Sequence, residues 1–276
     1  MTPFERFVAL LQAEMTTPPS YGLFHITAFL LTILAAALLV WRFRDAEDKT
    51  VRRLLLPAWI VLVALEVYKQ LVFSMSVSDG VAEWSYQWYA IPFQFCSSPL
   101  YVLPFAVFLK EGRGRDAVMS FLATFSLFGG LAVMIYPGDV FISMIGINIQ
   151  TMVHHGSQVI LGVFIAARYR NRLTWRFAFG GLIPFCILSA VAMGLNLIVP
   201  LVLNAAQITD FTFNMFFISH RFPCTLPVLS VIYPLVPYPV FLLIYLVGFT
   251  AVAAVIFASE RGILALTEKP RRSIKV

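Results

Sequence analysis

The sequence predicts an all-α polytopic membrane protein, a seven-transmembrane helix bundle with its N-terminus outside and its C-terminus in the cytoplasm. Three observations predict it: composition, the length of the apolar runs, and the placement of basic residues. Of 276 residues, 60% are hydrophobic, 26 are Phe and only 12% are charged, whereas a soluble domain carries about a quarter charged residues. No appreciable soluble domain fits that composition. A hydrocarbon core about 30 Å thick needs roughly 20 apolar residues per helix. Seven stretches supply them: 21–41, 54–74, 88–109, 117–136, 148–167, 177–203 and 233–257. Each is expected to be helical, because backbone facing lipid must satisfy its own hydrogen bonds.

The basic residues set the orientation. The links after the first, third and fifth stretches and the tail hold seventeen of the 20 Lys and Arg: Arg42, Arg44, Lys49, Arg52 and Arg53; Lys110, Arg113 and Arg115; Arg168, Arg170, Arg172 and Arg176; Arg261, Lys269, Arg271, Arg272 and Lys275. The other side keeps Arg6 and Arg221. The net charge of +6 follows from this asymmetry beside lipid and implies no nucleic-acid partner.

Residues 1–20 are not a signal peptide, since Glu5 and Glu14 interrupt any apolar core. Phe4, Phe7, Leu10 and Leu11 recur at helical spacing and predict a short interfacial helix. Residues 21–258 then form one transmembrane domain, with an external segment at 204–233, and residues 259–276 a basic cytoplasmic tail.

Ionisable groups inside membrane helices are costly, so each marks a candidate site. The first stretch places His25 about one turn below the outer surface. The second carries Glu66 and Lys69 in its last three turns. The third carries Gln94 and Cys96, and the fifth Gln150, His154, His155 and Gln158. At a rise of 1.5 Å per residue, Cys96 and His155 lie at nearly equal depth, roughly 10 Å below the outer face. Gln150, His154 and Gln158 stand at i, i+4 and i+8 and make one stripe; His155 lies to its side, near Thr151. Glu66 and Lys69, at i and i+3, read as a structural pair. His25 also reads as an interfacial hydrogen-bonding residue.

A buried cysteine is usually a small hydrophobe, and Cys186 fits that role. Cys96 fits it less well, flanked by Pro92, Pro99 and Pro104. Those prolines are expected to kink the helix and open space beside the thiol, with Pro99 leaving the Phe95 carbonyl unpartnered. A Cys96–Cys224 disulfide is the competing use of the thiol and would rule out a thiolate role.

The segment between the last two stretches alternates Asn204, Gln207, Asp210, Asn214, His220 and Arg221 with Phe211, Phe213, Phe216, Phe217 and Phe222. Long ordered connections are usually functional. This one can dip back and roof an outer cavity, its Phe wall suiting an acyl chain and Arg221 a phosphate. The plain alternative is an interfacial segment anchored by aromatics.

Phe24-His25-Ile26, Glu66 with Lys69, Pro92-x-Gln94-x-Cys96-Ser97, Tyr136-Pro137, His155-Gly156 and the Asn- and aromatic-rich run from Asn214 to Pro223, followed by Pro237 to Pro239, stand in an order that resembles the YwaF-like integral membrane proteins of bacteria. That family is related to an animal transmembrane acyltransferase that remodels ether phospholipids. The resemblance spans most of the chain. It implies a bacterial cytoplasmic-membrane protein in which Cys96 is the nucleophile and His155 its base. Gln94 stands where relatives often have His, and Asn214-Met215 where they often have Asn-Tyr.

The function expected is a cysteine-dependent lipid acyltransferase or lipid ester hydrolase of the outer leaflet. Cys96 attacks a phospholipid ester and the acyl group passes to a lysolipid or to water. His154, Gln150 or Gln94 hold the imidazole or the oxyanion, His25 is a second candidate base, and Glu66 and Lys69 set the local field. Gln158, Asn204, Asn214 and Arg221 complete the expected substrate-binding set. The alternative is a carrier or lipid-binding protein, against which stand the apolar inner halves of the helices. A metal or haem site built from His25, Cys96 and His154 matches no standard spacing. The chain has no GxSxG, nucleotide loop or HExxH, so neither metal nor cofactor is expected. Membrane lipids are the expected partners.

Overall fold

The computed structural model describes residues 2–267 apart from 79 and 139. Lys269, Arg271, Arg272 and Lys275 of the expected basic tail lie outside the described residues. Helix α1 (Pro3–Leu11) opens on a capping box: the Thr2 hydroxyl accepts from the Glu5 N–H while the Glu5 carboxylate accepts from the Thr2 N–H. Phe4, Phe7 and Leu10 are exposed on it. Helices α2 (Leu23–Phe43) and α3 (Asp48–Val72) follow. An antiparallel hairpin, β1 (Met75–Ser78) with β2 (Val81–Trp84), comes next. The Asp79-Gly80 pair is a hairpin signal that the apolar-run reading passed over.

The third expected stretch differs most. Residues 88–109 do not form one helix. Single 3₁₀ turns at Trp88–Ala90 and Phe95–Ser97 lead into α4, which covers only Ser98–Phe108. Proline explains this. Pro99 stands in the first turn of α4, where a missing N–H costs nothing, so it starts the helix rather than kinking it. The Phe95 carbonyl is not orphaned, because the Ser98 N–H donates to it.

Helices α5 (Arg113–Phe121) and α6 (Leu127–Ile135) are joined without a break by a π-helical turn at Leu122–Ser126. Helix α7 (Ile145–Arg168) is the most buried of the long helices. Helices α8 (Trp175–Gly180) and α9 (Leu182–Ala205) meet at Gly180-Gly181. After an irregular segment come the single turn α10 (Leu229–Ile232) and α11 (Tyr238–Thr267), which begins later and runs further than expected. Pro234, Pro237 and Pro239 account for the late start.

Five of these units are long and apolar enough to cross a membrane: α2, α3, α5 with α6, α8 with α9, and α11. The 95–108 stretch is apolar but shorter. Helix α7 has the length of a span, 24 residues, and its paired His and Gln residues dilute its apolar character. The protein is therefore a helical, multi-pass membrane protein.

Two glycines set the packing around α7. A Cβ on Gly130 would stand 2.7 Å from both the Gln158 Cβ and the His155 carbonyl oxygen, and one on Gly156 would stand 2.6 Å from the Thr32 hydroxyl. Bare backbone at these points lets α6 and α2 close on the polar part of α7. An aromatic core fills the space on the other side. Phe95 meets Phe216 at 5.6 Å and Phe249 at 4.8 Å, and Phe125 stacks on Phe185 at 4.6 Å. Such pairs contribute about 0.5–1.5 kcal/mol each beyond area burial.

Candidate functional site

The site forms where the broken stretch 91–98 meets α7, α3 and the irregular segment after α9. Because residues 95–97 make a 3₁₀ turn and not α-helix, the Cys96 carbonyl is not used up in a helical ladder. It turns toward α7 and accepts twice: from His154 Nε2 at 2.9 Å and from Gln158 Nε2 at 2.8 Å. The i, i+4 spacing of these two side chains lets both reach one oxygen. A carbonyl only accepts, so His154 carries its proton on Nε2 and leaves Nδ1 as a bare acceptor. The same argument applies to His155. Its Nδ1 lies 2.8 Å from the Thr151 carbonyl, so Nδ1 carries the proton and Nε2 is bare. Both bare nitrogens are buried and have no hydrogen-bond partner among the described residues. The two rings lie edge to face with centroids 5.6 Å apart.

Glu66 and Lys69 pair at 2.9 Å. Gln70, one turn on, donates to the same Glu66 oxygen at 2.7 Å and to the Ala90 carbonyl at 2.7 Å, and it accepts from the Tyr86 hydroxyl. This ties the end of α3 to the start of the broken stretch. The other Glu66 oxygen, Oε2, is buried and bare, as are Gln94 Oε1, Ser98 Oγ and Gln158 Oε1.

The segment after α9 folds inward over this region. Gln94 donates to the Asn214 carbonyl at 3.2 Å. Asn214 knots its own loop, donating to the Phe222 and Pro223 carbonyls and accepting from the Ser219 N–H. Asn196, buried on α9, clasps Met215 by both its N–H and its carbonyl. Phe216 stacks on Phe93 at 5.8 Å and sits at a φ of 57°, a left-handed value uncommon for a bulky residue. The two Asn clasps hold it there.

The remaining expected residues fall elsewhere. Gln150 is buried on α7 one turn before His154. Asn204 is exposed at the end of α9, and Arg221 is exposed within the loop that Asn214 knots. His25 is buried with both nitrogens engaged: Nδ1 accepts from the Tyr21 N–H at 3.1 Å and Nε2 donates to the Met134 carbonyl at 3.0 Å. No disulfide joins Cys96 and Cys224; both are free, as is Cys186. Burial pushes the Cys224 thiol up, which keeps it neutral. No group of three or more His, Cys, Asp and Glu side chains suited to a metal ion occurs among the described residues. Sequence reasoning missed Gln70, Ser98 and Asn196. Gln70 was visible as the i+4 partner of Glu66, and Asn196 as a lone amide in an otherwise apolar run.

A family model described as the TMEM164 family matches residues 20–258. No curated protein and no solved structure matches the chain.

Proposed function

Starting from a chain that belongs to the TMEM164 family, we propose that Cys96 carries out acyl transfer between membrane lipids, or lipid ester hydrolysis, through a thioester. The observation that carries this reading is the double grip of His154 and Gln158 on the Cys96 carbonyl. A thiol-bearing turn is thereby bonded to His154, the chain neighbour of His155, inside a membrane protein. The resemblance to the animal ether-phospholipid acyltransferase supports the same assignment. The topology that goes with it is seven crossings, with α4 and α7 as the two spans of lower length or apolarity, the N-terminus outside, and the protein in a bacterial cytoplasmic membrane.

In this reading His155 is the base. Its bare Nε2 takes the proton from the Cys96 thiol, and the thiolate attacks the carbonyl carbon of a phospholipid ester. The tetrahedral intermediate collapses with loss of the lysolipid alkoxide, which takes the proton back from His155, leaving a thioester on Cys96. A lysolipid hydroxyl or water then attacks the thioester, gives its proton to His155, and releases the new ester or the free acid with the thiol restored. His154 and Gln158 hold the turn, while Glu66 and Lys69 shape the field. The inward-folded Asn214 segment keeps bulk water out, which strengthens these interactions.

The test is intact-protein mass spectrometry of the detergent-purified chain after incubation with diacyl phospholipid. The wild type should gain one fatty-acyl mass, sensitive to hydroxylamine, and Cys96→Ala should gain none. An unmodified wild type whose thiol still reacts with a maleimide would sink the nucleophile reading.

A further inference from the structure

A second site lies apart from Cys96 and its histidines. A cavity of about 730 Å³ opens between α1, the end of α3 and β1, with Gln12, Glu14, Phe73, Gln87 and Tyr89 among its walls. Its volume falls in the range of small-molecule sites. Several features fix its shape. Residues 13–15 pair with 143–145 through the Met15 N–H on the Ser143 carbonyl at 2.9 Å and the Ile145 N–H on the Ala13 carbonyl at 3.1 Å, which anchors Glu14 on the wall. Gln12 donates to the Val72 and Met75 carbonyls at 2.9 and 2.6 Å, leaving its own carbonyl oxygen as an acceptor. Phe73 and Tyr89 meet at 5.9 Å with planes tilted by 56°.

The chemistry of these walls is one-sided. Among the described residues Glu14 is the single charged one on these walls, it is exposed, and it makes no ion pair. One carboxylate beside two aromatic rings and amide oxygens suits an organic cation, since a ring face attracts an ammonium group and most strongly a methylated one. Among the described residues no Lys or Arg lines the cavity, which disfavours a ligand of net negative charge.

The cavity is also bordered by residues of the kind found at a membrane interface. Phe4, Phe7 and Leu10 of α1 are exposed beside it, as are Trp84 and Tyr89, the pattern of an interfacial helix and an aromatic belt. Soluble amines meet such a site from water, but a lipid headgroup is already held at that depth. We infer that this cavity binds the ammonium headgroup of a zwitterionic phospholipid, with Glu14 as counter-ion and Phe73 and Tyr89 as the aromatic wall.

The experiment is native mass spectrometry of the full chain in detergent. The probes are equimolar phosphatidylcholine and phosphatidylglycerol with identical acyl chains. The wild type should retain phosphatidylcholine in excess. Glu14→Gln should lower that preference roughly fivefold, Glu14→Asp should keep most of it, and Tyr89→Leu should lower it by a smaller factor. Because Glu14 is exposed, the variants should elute as the wild type does on size exclusion. A wild type without preference, or a preference untouched by Glu14→Gln, overturns the inference. So does tetramethylammonium binding at the cavity while both lipids are excluded, which would mark a site for free amines. Cys96→Ala protein should show the wild-type preference, so failure here and failure of the thioester test are read separately.

Discussion

His25 and the His154–His155 pair are all buried imidazoles on long helices, and their surroundings differ in one respect. At the mouth of α2 both ring nitrogens are matched, one to the Tyr21 N–H and one to the Met134 carbonyl. In α7 each imidazole is matched on one side only, and the residues that meet around this region, Glu66, Gln94, Ser98 and Gln158, each keep a bare buried oxygen as well. A buried polar atom without a partner costs about 1–3 kcal/mol, and a fold rarely keeps several together without a use for them. The contrast teaches that burial does not separate a structural histidine from a candidate catalytic one. Hydrogen-bond satisfaction does.

The largest effect that would break this comparison is on turnover. His155→Ala should lower thioester formation by about 10²–10⁴-fold, the usual contribution of a general base, while His25→Gln should leave the rate per folded molecule unchanged. Stopped-flow thiol alkylation and adduct mass spectrometry on both variants would check it. Equal losses from the two variants would erase the distinction. The second largest is on stability and lies at the other end of α4. Arg115 is almost wholly buried, donates to the Ala106 carbonyl at 2.8 Å and pairs with Asp48, which also holds Arg52. Arg52 in turn donates to the Val107 carbonyl. Asp48→Ala leaves two cations against the end of the helix whose other end follows Cys96. It should cost about 3–5 kcal/mol, read as a lower unfolding midpoint in mild detergent.

Next comes the matched histidine itself. His25→Ala removes two hydrogen bonds and strands the Tyr21 N–H and the Met134 carbonyl, a loss of about 2 kcal/mol with activity per folded molecule retained. Gly156→Ala sharpens the other half of the contrast. A methyl 2.6 Å from the Thr32 hydroxyl must push α2 from α7, at about 1–3 kcal/mol, and the Thr32→Ala partner change should restore part of it. The smallest effect is expected at Asp45, in the link between α2 and α3. Its hydrogen bond from Arg170, at 2.5 Å, holds its carboxyl below the usual carboxylate range. A depressed value in the folded state stabilises above the unfolded pKa and is lost as pH falls through the folded one. Between neutral pH and the carboxylate range the stability of Asp45→Asn should therefore track the wild type less closely as pH rises, and the two should converge in acid.

The sequence carried the broad outline because composition acts through bulk solvation. Apolar runs such as 21–41 and 54–74 have few structural outcomes in a membrane, and α2 and α3 cover them. The spacing Glu66/Lys69 carried its own ion pair, since neighbours on one helix face meet whatever surrounds them. The run 88–109 was expected as one continuous helix because its apolar character hid three prolines whose effect depends on register: at the first turn of a helix Pro99 starts what elsewhere it would break. The hairpin at 75–84 was hidden in the same way by its neighbours.

Sequence alone thus determined the membrane class, the helical content and the identity of the costly groups, because each follows from the free energy of placing a side chain in hydrocarbon. Only the tertiary structure decided which nitrogen of each histidine carries the proton, that the Cys96 carbonyl is the point gripped by α7, that Asn196 and Asn214 fold the outer segment inward, and that His25 is satisfied and Arg221 exposed. Several of those outcomes rest on pairings far apart along the chain, such as Asn196 with Met215 and Gln94 with Asn214, and no local pattern records them.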